Sequence, residues 1–320
     1  MTDRPGGTAP GRRRRGRPVH GWLVADKPLG MTSARAVALV KRRLEAAKVG
    51  HAGTLDPLAT GVLPICLGEA TKTVAFIQDA DKDYGFTLRW GEARDTDDRE
   101  GAVTETSDRR PDAAAIDAAL PGFRGPIDQV PPAYSAIKVA GRRSYDLARA
   151  AAPVALAPRR VQVTRFDLVA AERDRAVFRV TCGKGTYIRS LARDLARALG
   201  TVGHVETLRR TRVGPFREQD AISLDCADAS GHSAPLVAHL LPVQTALVDI
   251  PALAVTESDA RRLRHGQAVS PAVPMNCSAG RAESAPTTPR TPILAKCGDR
   301  PVGLVRLEDG RLRPVRLFNL

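Results

Sequence analysis

Aromatic residues are scarce, with two tryptophans, four tyrosines and seven phenylalanines among 320 residues. Any chemistry that stacks a ring on a base therefore has few candidates. Cysteine is sparse too. Cys66, Cys182, Cys226, Cys277 and Cys297 form no C-x-x-C pair, and this odd, scattered set suits neither a zinc site nor a disulfide framework. Free thiols in a reducing compartment are the expectation. No apolar run approaches the roughly 20 residues that span a bilayer. Arg12 to Arg15 ahead of Val19 to Ala25 mimics an export signal, but the apolar stretch is short, contains Gly21 and runs into Asp26-Lys27-Pro28. A soluble cytoplasmic protein is expected.

Positive charge is abundant. Lysine and arginine number 49 against 35 acidic residues, a net charge of +14. Such a surface attracts a phosphate backbone and speeds encounter with a polyanion. A membrane surface is the competing partner, but no long amphipathic basic helix supports it. Charge thus favours nucleic acid, without saying which one or what is done to it. An apolar fraction of 43% supports a sizeable core, and the length suits one large domain plus a small one.

Residues 1–18 are Gly, Pro, Arg and Thr with little apolar content, which reads as a disordered basic arm. Thr32 or Ser33 can cap a helix running to Gly50, with Val37, Leu39, Val40 and Leu44 as its apolar stripe. A Gly- and Pro-punctuated loop over Gly50 to Pro64 follows. Tyr84 to Trp90, Val161 to Val169 and Ala176 to Cys182 alternate as strands do. Tyr187 to Leu199 is a second amphipathic helix, with Ile188, Leu191, Leu195 and Leu199 on one side. Strands mixed irregularly with helices indicate an α+β fold. Past about residue 245 the composition shifts. Residues 249–320 read as a small β-rich domain with a Ser/Pro-rich disordered insertion at about 270–292. Asp309-Gly310 separates the two arms of a hairpin there.

Three segments can carry chemistry. In His51-Ala52-Gly53-Thr54-Leu55-Asp56-Pro57, the proline restricts Asp56 toward extended conformations and Gly53 permits close approach. A carboxylate on such a loop suits a nucleophile, and equally a turn aspartate that caps a helix. Gly183-Lys184-Gly185-Thr186-Tyr187-Ile188-Arg189 follows a strand and opens a helix, without Walker spacing. Arg189 in a first helical turn opposes the dipole, so an anionic partner or a plain surface position are both open. Tyr84 is either a base-stacking ring or a core tyrosine. The pairs Arg142-Arg143, Arg159-Arg160 and Arg209-Arg210 suggest a phosphate-contacting surface.

Several blocks in order resemble a known family. They are Gly21 to Ser33 (GWLVADKPLGMTS), Gly50 to Pro64 (GHAGTLDPLATGVLP), Gly68-Glu69-Ala70-Thr71-Lys72, Pro131 to Lys138 (PPAYSAIK), Gly183 to Arg189, and Leu208-Arg209-Arg210-Thr211. Over about residues 20 to 250 the chain is similar to the bacterial synthases that make pseudouridine at position 55 in the T-loop of tRNA. The resemblance implies a mixed-sheet pseudouridine synthase core over 19–248 and a small PUA-like C-terminal domain. It implies a flipped uridine, no metal and no organic cofactor. It assigns Asp56 as nucleophile, Tyr84 as the ring that stacks on the base and takes the C5 proton, and Arg189 as the partner of the catalytic carboxylate. His51 matches a histidine where the flipped nucleotide enters, and Lys27, Tyr187 and Leu208 match pocket-lining residues. Covalent attack by a carboxylate splits one hard step into two, and a neighbouring cation favours its charged form. The expected partner is the T-arm of tRNA, bound by a monomer without guide RNA. A silent tRNA-binding protein and a guide-dependent relative are the competing readings. The C-terminal part matches the family's small domain only loosely.

Overall fold

The computed structural model describes residues 16–135, 138–139, 142–143, 156–224, 234–271 and 292–320. Most of the expected basic arm and insertion, with Cys226 and Cys277, lie outside the described residues.

A ten-stranded mixed sheet dominates the described residues. Its main strands are β1 (Gly21–Lys27), β2 (Ala59–Leu67), β3 (Lys82–Trp90), β4 (Gly125–Gln129), β5 (Arg159–Ala171), β6 (Arg175–Cys182), β7 (Gly203–Val213) and β8 (Ile222–Ser223). Their spatial order is β8-β1-β2-β7-β3-β6-β5-β4, and the short strands Val49–His51 and Phe216–Arg217 pair with β2 and β7. The pairs β1/β8 and β2/β7 are parallel and the others antiparallel.

Burial explains the two kinds of strand sequence. In β1, Leu23 and Ala25 face one core while Trp22 and Val24 face another. A strand covered on both sides is apolar throughout. In β5, Val161, Val163 and Phe166 are buried while most of the other residues are exposed, which yields the alternation seen in the sequence.

Helices α1 (Ser33–Arg43) and α2 (Ile188–Ala198) cover the first core. All four residues of the expected α2 stripe, Ile188, Leu191, Leu195 and Leu199, are buried there. Thr32 caps α1 by accepting from the Arg35 N–H. The helix stops earlier than its sequence suggests: Leu44 is the C-cap and Glu45 has φ 48°. Tertiary pairing decides this, because the Arg17 N–H donates to Glu45 O at 2.7 Å and Gly50 belongs to the strand paired with β2. The expected loop is correspondingly shorter, spanning Ala52 to Leu58 between two strands.

The C-terminal part is a four-stranded sheet of β9 (Ala252–Ala254), β10 (Ile293–Cys297), β11 (Arg300–Glu308) and β12 (Arg311–Leu317), in that order. The expected hairpin joins β11 to β12, with Asp309 at φ 51° and Gly310 at φ 71°. Both positive angles fit the turn that Asp-Gly favours. Helix α3 (Glu257–Arg264) closes this unit's own core through Ala260 and Leu263. Leu294, Leu304 and Phe318 leave that core and pack with Trp22 and Phe216 of the large sheet.

Candidate active site

The loop carrying Asp56 is held on both sides of Asp56. Arg210, on β7, sends its guanidinium back to this loop: Nε donates to Val62 O at 2.8 Å, Nη2 to Gly53 O at 3.0 Å and Nη1 to Thr54 O at 3.5 Å. The buried Ser33 hydroxyl donates to Leu55 O at 3.0 Å and accepts from the Leu55 N–H at 2.8 Å. Lys27 donates through Nζ to Pro28 O, Met31 O and Pro57 O at 2.9, 2.7 and 3.3 Å. Gly61 is needed beside them. Its φ is +97°, and a Cβ there would stand 2.2 Å from the Arg210 carbonyl oxygen. Only glycine lets β2 and β7 approach so closely.

The facing wall is the first turn of α2. The buried Gln129 amide receives the Tyr187 N–H at 2.8 Å and donates to Tyr187 O at 3.1 Å. That fixes where the helix starts and where Arg189 points. Arg189 Nη2 lies 2.8 Å from Asp56 Oδ2, with the arginine side chain 5% exposed and the carboxylate 39% exposed. Nη1 lies 3.6 Å from the buried Asp98 carboxylate, and the guanidinium also donates to Thr96 O and Tyr134 O at 2.8 and 2.9 Å. Two carboxylates therefore offset a cation placed unfavourably at a helix N-terminus.

Between these walls lies a cavity of about 270 Å³. Asp56, Tyr84, Tyr187, Arg189 and Leu208 all line it, so five of the seven sequence candidates converge here. His51 and Lys27 do not line it. His51 closes the short strand before the loop, where burial and Arg210 push its pKa down and keep the ring neutral near pH 7. Lys27 is fully buried behind the loop, and burial lowers its pKa to about 8 against the pull of Asp56. Its ammonium is committed to backbone carbonyls. Burial raises the Tyr84 phenol, opposed by Arg210, and raises the Tyr187 phenol.

Sequence reasoning missed Asp98, Gln129 and Ser33, and misplaced Arg210. The Arg209-Arg210 pair is not a surface patch. Arg209 binds Asp26 through two hydrogen bonds of 2.9 and 2.8 Å, and Arg210 is 1% exposed. Strand alternation across β7 was the one signal that could have separated the two side chains. No group of three His, Cys, Asp or Glu among the described residues could hold a metal ion.

A carboxylate, a cation beside it and an aromatic ring around a base-sized cavity can support nucleophilic attack on a bound nucleoside. The chain is similar to known pseudouridylate synthases. Residues 41–188 match the family described as TruB family pseudouridylate synthase (N terminal domain), and residues 189–248 match the tRNA pseudouridylate synthase B C-terminal domain. The boundary between the two falls inside α2, and β7 beyond it pairs with β2 and β3 before it, so one sheet spans both. The chain is 59% identical to a tRNA pseudouridine synthase B of Gluconacetobacter diazotrophicus, across 96% of this chain and 100% of that protein. It is 53% identical to that of Rhodospirillum rubrum, across 97% and 99%. The fold resembles the archaeal box H/ACA sRNP Nop10-Cbf5 complex, with TM-score 0.69 and 24% identity over 94% of this chain and 86% of the other. A Cbf5-Nop10-Gar1 complex is similar at TM-score 0.68 and 27% identity, over 94% and 84%.

Proposed function

This chain belongs to the TruB family of pseudouridylate synthases, and from that membership we propose that it isomerises uridine 55 in the T-loop of tRNA, with Asp56 as nucleophile. The relatives named tRNA pseudouridine synthase B support tRNA as the substrate. The observation that carries the assignment of Asp56 is its 2.8 Å ion pair with Arg189 at the cavity wall.

The reaction breaks the N1–C1′ bond, turns the base and joins C5 to C1′. Every product atom is already in the substrate, so the isomerisation calls for no net redox chemistry. The target base must leave its stack before any side chain reaches it. A cavity near the lower end of ligand pockets suits one such base. Asp56 attacks as a carboxylate, Tyr84 stacks on the base and receives the C5 proton, and Tyr187 and Leu208 bound the base. Arg189 orients Asp56. Lys27 and His51 act from outside the cavity, Lys27 by holding Pro57 and His51 at the approach to the loop.

The protein acts as a monomer in the cytoplasm, without a guide RNA. No helix among the described residues is long and apolar enough to cross a membrane.

Incubating the purified chain alone with unmodified tRNA and mapping the converted uridine tests the substrate. Conversion at position 55 is expected, and no pseudouridine without added components would overturn the stand-alone reading. Asp56→Asn should lower turnover by at least about a thousandfold while tRNA still binds. Undiminished turnover would remove Asp56 as nucleophile.

A further inference from the structure

Arg210 is a buried cation without a counter-ion. It is 1% exposed, and its hydrogen bonds run to carbonyl oxygens alone. No ion pair among the described residues involves it, whereas Arg189, Arg209 and Arg212 each hold a carboxylate. Burying a charge without a partner is costly. Holding three carbonyls would not require a full charge, since neutral donors serve that purpose elsewhere in the same loop, as Ser33 does at Leu55.

The position of the charge suggests what it does. Arg210 sits directly across from Tyr84 in the β7/β3 register, and both line the cavity. Its charge acts on the Tyr84 phenol and favours the phenolate. The other groups facing Tyr84 are Cys182 from β6 and Asp56 from the loop, with Lys82 on its own strand and Arg189 across the cavity. The Lys82 ammonium is committed to Gln78 O and Ala80 O, and Arg189 to Asp56. Arg210 is the cation that stands opposite Tyr84 on the neighbouring strand.

We infer that Arg210 is a positioning residue that stabilises the Tyr84 oxygen as an anion for removal of the C5 proton. This rests on the reading of Tyr84 as the proton acceptor. Once C5 has bonded to C1′, that carbon carries both the sugar and its hydrogen. The C5–H bond breaks, and its electron pair forms the C5=C6 double bond. The N1=C6 π pair returns to N1, which takes a proton from water. The Tyr84 phenolate accepts the C5 proton and later returns it to solvent. Burial works against the phenolate and the neighbouring Arg210 charge works for it. The same side chain ties this base to the nucleophile loop through Gly53 and Thr54, so nucleophile and proton acceptor share one support.

The test is single-turnover kinetics of Arg210→Gln and Arg210→Lys on T-arm stem-loops carrying uridine, C5-deuterated uridine or 5-fluorouridine at the target. Fluorine replaces the C5 proton, so rearrangement of that substrate proceeds without proton removal. For either variant the expected result is uridine conversion slowed by at least about tenfold, with a new deuterium isotope effect and the ascending limb of the pH–rate profile moved to higher pH. Consumption of 5-fluorouridine, which shares the loop support but not the proton removal, should slow at least several-fold less than uridine conversion. Arg210→Lys, which keeps a charge, should show the smaller version of each effect and serves if the glutamine variant does not fold. Equal slowing of all three substrates would reduce Arg210 to a loop support and overturn the proposal, as would no slowing at all. Tyr84→Phe separates the underlying reading: uridine turnover kept in that variant would remove Tyr84 as acceptor, whatever Arg210 does.

Discussion

The two walls of the cavity are built by opposite means. On the loop wall, cations hold backbone carbonyls: Arg210 takes Gly53 and Thr54, and Lys27 takes Pro57. On the helix wall, a neutral amide holds backbone groups, as Gln129 does with Tyr187, and the cation Arg189 is held by carboxylates and carbonyls. The difference follows from what each wall presents. Under the proposed function the loop wall must offer a carboxylate that is free to react, and its supports grip the neighbours of Asp56 and leave the carboxylate to Arg189. The helix wall must offer a fixed cation against its own dipole, so it gathers acids around it.

Breaking the link between the walls should have the largest effect. Arg189→Met leaves Asp98 buried and Asp56 unpaired, and loss of one partner of a buried pair costs about 3–5 kcal/mol. Chemical denaturation should report a loss of that order, with turnover falling but no further than in Asp56→Asn. Stability within 1 kcal/mol of the parent, on the order of the surface-pair range, would mean that the acids around Arg189 are better solvated than their burial implies.

The cationic supports of the loop wall predict a pH signature. The folded pKa of Lys27 is about 8, against 10.5 for a free lysine. Because the folded value is the lower one, the unfolded chain binds more protons between these limits. Stability contributed at this site therefore rises with pH from about 8 to 10.5, by up to about 3 kcal/mol. Lys27→Met should abolish that rise. Unfolding free energies of both proteins from pH 7 to 10.5 decide it, and parallel curves would show that Lys27 is solvated in the folded state.

The helix wall should respond more mildly to loss of its neutral support. Gln129→Ala leaves the Tyr187 N–H and C=O without the amide, a cost of about 1–3 kcal/mol for an unsatisfied buried group. The start of α2 should loosen, so kcat should fall while affinity for tRNA stays close to the parent. A change confined to KM would place Gln129 in substrate binding.

Much of this arrangement was legible in the chain. Leu191 and Leu195 mark the buried stripe of α2, and Asp309-Gly310 marks the hairpin. Asp56 drew attention through Gly53 and Pro57, although its loop admitted an ordinary turn just as well. The end of α1 was not legible. Gly50 looked like a helix stop, and pairing with β2 claimed it as strand. Asp98 was hidden in a run of polar residues between two strands, where nothing local distinguishes a buried carboxylate from an exposed one. Arg210 was hidden beside Arg209, its neighbour of identical type and opposite orientation.

The sequence by itself determined the α+β class, the apolar stripes, the capped start of α1, the Asp-Gly turn and the segments that could hold a nucleophile, a ring and a cation. All of these are set by periodicities and backbone preferences that act within a few residues. Only the tertiary structure decided which cations are buried and what they grip. Arg210 meets Val62 across 148 positions and Gly53 across 157, and Arg189 meets Thr96 across 93. Whether a charged side chain is solvated or buried depends on what the folded chain sets around it, and those partners are carbonyls and carboxylates from distant segments.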